Sequence, residues 1–299
     1  MRRNGQIEIR RCRPMLGTFV EIAASGIDAA DLERAIKAAF LTIADVHRLM
    51  SFHDPESEIS RMNRDAFCRS VRVHPWTWRV LKSAREFSRN TDGIFDITTA
   101  RRLVKWNYLP RFDLRIGTGK WSDVILEKNP NVRFRRPLTI DLGGIAKGFA
   151  VDRAVDALKR DGVTAGLVNA GGDLRAFGSG YQLVHVRHPV HPTRVAGVVR
   201  LCDRAMATSG IYFARRKNRA RWMGPLLDGR TGRAVSELIS ITVAAADCMT
   251  ADALTKIVFA LPERAAPFLS QYCADALLIE RDGAPSWIFH PPCDTPRQT

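Results

Sequence analysis

The stretch IDLGGIAKGFAVD, residues 140–152, carries a β-type run, Leu138-Thr139-Ile140, into a helix-type run from Phe149 to Leu158 by way of a glycine pair and a lone lysine. Glycine lets main chain approach a neighbour closely, and a loop that feeds a helix N-terminus aims free N–H groups at an anion. Lys147 adds a movable positive charge beside that turn. The spacing is neither G-x-G-x-x-G nor G-x-x-x-x-G-K-[ST], so taken alone the stretch reads as a phosphate loop or as an ordinary strand-to-helix turn.

Two other segments repeat its chemistry. VNAGGDLRAFG, residues 168–178, sets Gly171 and Gly172 between Asn169 and Asp173 after a buried-type strand over 166–169. It is either a second glycine turn for a flat or phosphorylated ligand or a structural β-turn. TADALTK, residues 250–256, places Asp252, Thr255 and Lys256 on one helix face. A carboxylate and a hydroxyl there suit a hard cation such as Mg²⁺, which needs few protein carboxylates; the alternative is a simple Asp–Lys pair within the helix.

Around these segments the pattern is mixed. Residues 17–24 alternate as a strand, and 31–50 repeat apolar residues at a helical period. A short helix is expected from Ser57, a second long helix over 76–90, and another over 151–160. Residues 108–138 read as irregular and basic. Short strands are expected at 182–189, 196–203 and 205–210, then a strand and a helix within 240–261 that begins near Thr250 or Asp252. A closing hairpin turns at Asp282-Gly283. Helices and strands without regular β-α alternation predict an α+β fold.

The chain has 299 residues, 45% of them hydrophobic, enough to bury a large core. Its net charge of +15 favours an anionic partner. Residues 213–232 are basic and contain Trp222, a candidate nucleic-acid track, but no similar segment extends the groove and a solvated hairpin is the preferred reading. No nucleic acid is expected. Six dispersed cysteines show no metal spacing and read as reduced thiols. Neither a signal peptide nor a membrane segment is apparent, so the chain as written reads as cytoplasmic.

Eight segments then occur in one order: RPMLGTFVEI, MSFHDPESEISRMN, TDGIFDITTA, IDLGGIAKGFAVD, GLVNAGGDLRAFG, ATSGIY, LLDGRTGRAV and SITVAAADCMTADALTK. Together they resemble the FAD:protein FMN transferases, the ApbE family, from about Arg13 to Leu261. The resemblance implies an α+β body of the tunnelling-fold type over 13–290, with an N-terminal arm over 1–12 and a tail over 291–299. It implies Mg²⁺-dependent transfer of the FMN half of FAD onto a threonine of an acceptor flavoprotein, with AMP leaving.

It also implies site residues. Asp141 and Lys147 would contact FAD, with Met15, His53, Ile94, Phe95, Asp96, Asn169, Gly171, Gly172, Asp173, Thr208, Ser209 and Leu226 as further contacts. Gly144, through its carbonyl, and Asp252 would hold the metal with Thr255. Lys147, Asp252 and Asp228 are the candidates for catalysis.

Two positions depart from the family pattern. Lys256 stands where the metal-ligating threonine is usual, so either Thr255 serves or the Lys256 ammonium takes the metal's place. Pro225 stands where a histidine is usual, which removes a side chain that could accept a proton, a service worth ~10²–10⁴-fold in rate. His53 or Asp228 could substitute. The alternative function is an FAD-binding module of the same family with little or no turnover.

Overall fold

The chain's first two strands, β1 (Ile7–Met15) and β2 (Thr18–Gly26), meet at Leu16 and Gly17, whose φ angles are 55° and 71°. Two positive φ values in a two-residue turn match the twist of a hairpin. Next come α1 (Ala29–Met50), α2 (Glu58–Asp65), β3 (Val71–Arg72), α3 (Pro75–Asn90) and α4 (Ala100–Lys105). They are followed by β4 (Val124–Leu126), β5 (Asn131–Phe134), α5 (Ala146–Arg160), β6 (Ala165–Ala170) and β7 (Asp173–Phe177). The remaining strands are β8 (Gln182–Arg187), β9 (Val195–Leu201), β10 (Ala205–Gly210), β11 (Arg216–Asn218), β12 (Arg221–Met223) and β13 (Ser240–Ala245). After them lie α6 (Cys248–Ala260), α7 (Ala266–Gln271), β14 (Asp275–Ile279) and β15 (Pro285–Ile288). This computed structural model describes residues 6–112, 117–191, 193–210, 216–218, 221–234, 240–280 and 284–288.

Eight strands form one antiparallel sheet in the order β1-β2-β6-β7-β10-β13-β14-β15. One face is covered by three helices: α1 over β1 and β2, α5 over β6 and β7, and α6 over β7, β10 and β13. Each helix turns an apolar stripe inward, as Ile36, Phe40 and Ile43 do on α1 and Phe149, Val151 and Leu158 on α5. A fully buried side chain of this size contributes about 1.5–3 kcal/mol. On the other face the β8–β9 hairpin covers a smaller core of Leu174, Met206, Leu277 and neighbours. The α+β reading holds, because the strands of the large sheet pair antiparallel and not as parallel β-α-β units, even where helices lie between them in the chain, as between β13 and β14.

Several expectations shift. Residues 108–138 are more ordered than their composition suggests, since β4 and β5 join β3 in a three-stranded sheet. Their alternation is legible only over Val132-Arg133-Phe134, and Asn129, at φ 59°, interrupts it. Helix α5 starts at Ala146, one turn before the expected 151. Helix α6 starts at Cys248 because Asp247 caps it, accepting from Thr250 N at 2.8 Å, where Thr250 or Asp252 was the expected start. The sheet takes in Ile7 to Cys12, so that part of the expected N-terminal arm is edge strand. β11 and β12 pair as a hairpin, while the Trp222 side chain, the Asp282-Gly283 turn and the tail over 291–299 lie outside the described residues.

The α5–α6 crossing is closest at Gly148. A Cβ there would stand 2.2 Å from the Cys248 carbonyl oxygen and 2.8 Å from Met249 Cα, both backbone atoms that cannot rotate away. Replacing Gly148→Ala is therefore expected to lower the free energy of unfolding by about 1–3 kcal/mol. Urea denaturation followed by circular dichroism checks it; an unchanged midpoint would show that the helices do not meet this tightly.

Candidate functional site

The site grows from that crossing. Asp152, one turn after Gly148 on α5, receives Cys248 N at 3.0 Å and Met249 N at 2.9 Å, so its carboxylate sits on the N-terminus of α6. Arg175 on β7 donates to the same carboxylate at 2.7 Å. Docked this way, α6 projects Asp252 back to α5, where Asp252 Oδ2 accepts from Gly148 N at 3.1 Å. Lys256, one turn along α6, donates to Asp252 Oδ1. On the α5 side, Lys147 donates to Asp173 Oδ2 at 2.5 Å.

Two lysines and two aspartates thus form one cluster, layered by depth. Asp173 and Asp252 have side-chain exposures of 1% and 0%, while Lys147 and Lys256 have 33% and 19%. Burial, then the neighbouring Asp252, push the Asp173 carboxyl above the usual range, against the pull of Lys147 and Lys256. Burial also disfavours the charged form of Lys147, but Asp173 and Asp252 outweigh it and hold its pKa above the ordinary lysine value. Lys147 is therefore a permanent cation.

Both lysines face open space. One cavity of about 500 Å³ is walled by Phe95, Asp96, Gly144, Lys147, Ser209 and Lys256, among others. A second, also about 500 Å³, is mainly apolar, with Leu16, Val46, Met50 and Phe52 beside His53. The two share Leu109, Asp141, Gly143 and Lys147, so they adjoin at the turn before α5. Asp141 folds back on that turn and accepts from Gly143 N at 3.1 Å. Burial raises the Asp141 carboxyl, opposed by Gly143 N–H and by His53. Asp96 is likewise raised by burial, against bonds from Thr98 and Trp121.

Most of the expected contacts converge here. Ile94, Phe95, Asp96, Asp141, Gly144, Lys147, Thr208, Ser209 and Leu226 line the first cavity, and His53, Asp141 and Lys147 line the second. Others stand behind the wall. Gly171 and Gly172, at φ 64° and 99°, turn β6 into β7; Gly172 N donates to Asn169 Oδ1 at 3.0 Å, and Gly172 O receives Thr208 N at 3.1 Å. The glycines are needed there, since a Cβ at Gly171 would lie 2.4 Å from Thr18 Oγ1. Met15 packs on the core, and Leu16 and Gly17 beside it line the cavity instead.

Two catalytic or metal candidates have other tasks. Asp228 organises its own turn, accepting from Arg230 N at 2.9 Å and Thr231 Oγ1 at 3.1 Å, so its carboxylate is committed locally. Thr255 is fully buried; its hydroxyl donates to Asp252 O at 2.7 Å and shares a 2.7 Å bond with Ser209 Oγ. Pro225 lines the cavity without any group to move a proton. Tyr108, Leu103 and Leu109 also line it and were missed, because their segment has no periodicity that would assign them a face.

Of the three expected metal donors, Gly144 lines the cavity, while Asp252 and Thr255 do not fit Mg²⁺ as they stand. Both Asp252 oxygens are engaged, one by an ammonium, the Thr255 hydroxyl is sequestered, and Asp173 is paired with Lys147. A hard dication needs free oxygen donors in near-octahedral array; here a cation of the chain's own already occupies the carboxylate. Among the described residues no helix is long and apolar enough to cross a membrane.

Comparison with known proteins agrees with this architecture. A crystal structure of the ApbE protein from Thermotoga maritima is similar with a TM-score of 0.85 and 28% identity, covering 94% of this chain and 96% of that one. The flavin transferase ApbE from Vibrio cholerae is similar with a TM-score of 0.77 and 25% identity, over 95% and 97% of the two chains. By sequence, an FAD:protein FMN transferase of Haemophilus influenzae is 26% identical over 82% of this chain and 77% of its own length. The ApbE family pattern matches residues 16–278, which take in both cavities and the four-charge cluster, and the chain belongs to the ApbE family.

Proposed function

We propose that this chain is an FAD:protein FMN transferase, which moves the FMN half of FAD onto a threonine hydroxyl of an acceptor flavoprotein and releases AMP. The observation that carries the reading is the pair of adjoining cavities with Lys147 and the Gly143-Gly144 turn at their junction. FAD has the matching form: two ring systems separated by an anionic diphosphate. The apolar walls suit flat rings, and a permanent cation beside exposed main chain suits the diphosphate. The attacking threonine oxygen would bond to the phosphorus on the FMN side and the bond from that phosphorus to the AMP oxygen would break, AMP leaving with that oxygen and the hydroxyl proton passing to water.

The chain's residues serve this step by position. Lys147, held by Asp173, fixes one phosphate without a search through rotamers. The 228–232 turn rests on the cavity wall, with Gly229 N donating to Ile94 O at 2.9 Å, and so keeps Leu226 and Leu227 facing the ligand. Pro225 favours a second reading, a flavin-binding module with little turnover, because that stretch of wall offers no proton acceptor.

Incubation with FAD and threonine-containing acceptor peptides separates the two readings. Transfer yields AMP and a peptide that gains the mass of an FMN group; stoichiometric FAD binding with no adduct across varied peptides selects the binding module. The double variant Lys147→Met/Asp173→Asn removes the cation without leaving a buried orphan charge. It is expected to stay folded and to bind FAD about 10- to 100-fold more weakly in flavin fluorescence titrations. Unchanged affinity would remove Lys147 from the site.

A further inference from the structure

We propose that Lys256 is a built-in cation that takes the place of a divalent metal, so that this chain binds the FAD diphosphate through a pair of lysines without Mg²⁺. The proposal rests on the reading of the site as an FAD site. Its carrying observation is the layering of the cluster: Lys147 and Lys256 line the same cavity, and the aspartates that hold them lie behind, fully buried. Each ammonium is thus oriented from the rear and offers its remaining N–H donors forward.

Charge bookkeeping points the same way. Asp173 and Asp252 contribute two negative charges and Lys147 and Lys256 two positive ones. Within the cluster each carboxylate is thus matched by one ammonium, so the cluster itself holds no surplus for a dication; Asp96 and Asp141 are the cavity's other carboxylates. A divalent ion entering beside two ammonium groups would meet repulsion at a depth where water screens little. Of the other carboxylates on the cavity wall, Asp96 accepts from Thr98 and Trp121 N with both oxygens, and Asp141 accepts from Gly143 N through Oδ1. An arriving diphosphate, by contrast, can accept from both lysines while their aspartates remain behind them.

The side-chain geometry supports the substitution. Lys256 Cε lies 3.5 Å from where a Cβ on Gly144 would stand, so the aliphatic stem runs along the glycine turn that leads into α5. The stem fills the space between α6 and that turn, and the ammonium emerges over Asp252. Thr255, one residue earlier, is fully buried, with its hydroxyl bonded to Ser209 Oγ and Asp252 O.

Titration of FAD against the wild-type chain, by flavin fluorescence in excess EDTA and again in excess MgCl₂, tests the proposal. The expected result is equal affinity in both. Lys256→Met should lose at least about tenfold in EDTA, and Lys256→Thr, which puts a hydroxyl one turn from Asp252, should make binding depend on Mg²⁺. Circular dichroism of each variant confirms the fold. Wild-type affinity that falls about tenfold or more in EDTA and returns with Mg²⁺ would overturn the proposal and leave the FAD site standing, as would a folded Lys256→Met that binds like wild type in EDTA. No FAD binding in either buffer would instead defeat the flavin reading itself.

Discussion

A single carboxylate, that of Asp152, decides where everything else in the site can be. It bonds to the first two N–H groups of α6 and to Arg175 on β7, so it fastens two helices and a strand at one point. The N-terminus of a buried helix would otherwise leave donors without partners, each costing about 1–3 kcal/mol. Satisfying them from α5 sets the rotation and height of α6 relative to α5. Asp252 and Lys256 then have no choice of neighbour: one turn further on they face Gly148 and the entry to α5.

That arrangement is possible only because Gly148 lacks a side chain. With a Cβ at that position the helices could not approach, and the Gly148 N–H could not reach Asp252. Steric permission and electrostatic need therefore meet on adjacent turns of one helix. The glycine sets the distance, the aspartate sets the angle, and the lysine before them, Lys147, is delivered to Asp173 on the neighbouring strand. Removing Asp152 would leave Arg175 without that carboxylate and the first N–H groups of α6 without an acceptor, a larger penalty than a lost surface ion pair.

Much of this was legible in the sequence at the level of elements. The period of α1, the alternation of β2 and the glycine turns before α5 and β7 follow from local chemistry, and their positions agree with the structure to within about a turn. The order of the motifs brought about half of the first cavity's lining onto one list, but of the second only His53, Asp141 and Lys147. Three things were not legible. The Lys147–Asp173 pair spans 26 residues, and the Asp152 bonds span 96 and 97, so both depend on how elements dock and no local pattern encodes them. That Asp228 holds its own turn was hidden because a carboxylate beside a cavity and one that stabilises a turn look alike in sequence. Thr255 was placed on the face of Asp252, as helix geometry requires, but its hydroxyl is taken by Ser209 from β10, which only the packed structure supplies.

The two halves of the site are built by different physics, and the difference assigns their tasks. The side toward α5 and α6 is a network of buried charges whose partners fix one another, so it resists displacement and can hold a diphosphate in one geometry. The opposite wall, Ile94 to Asp96 with Pro225 to Leu227, is held by main-chain bonds such as Gly229 N to Ile94 O and presents mainly apolar or committed side chains. Such a wall can exclude water and shape a ring pocket, but residues 94–96 and 225–227 supply no cation. Recognition of the anionic middle of a ligand must then come from the helix side alone, and there the chain supplies two ammonium groups within one cavity. On the reading proposed above, a site whose cations are covalently part of the chain is loaded whenever the chain is folded, and its diphosphate affinity would follow fold stability and not the supply of an external ion.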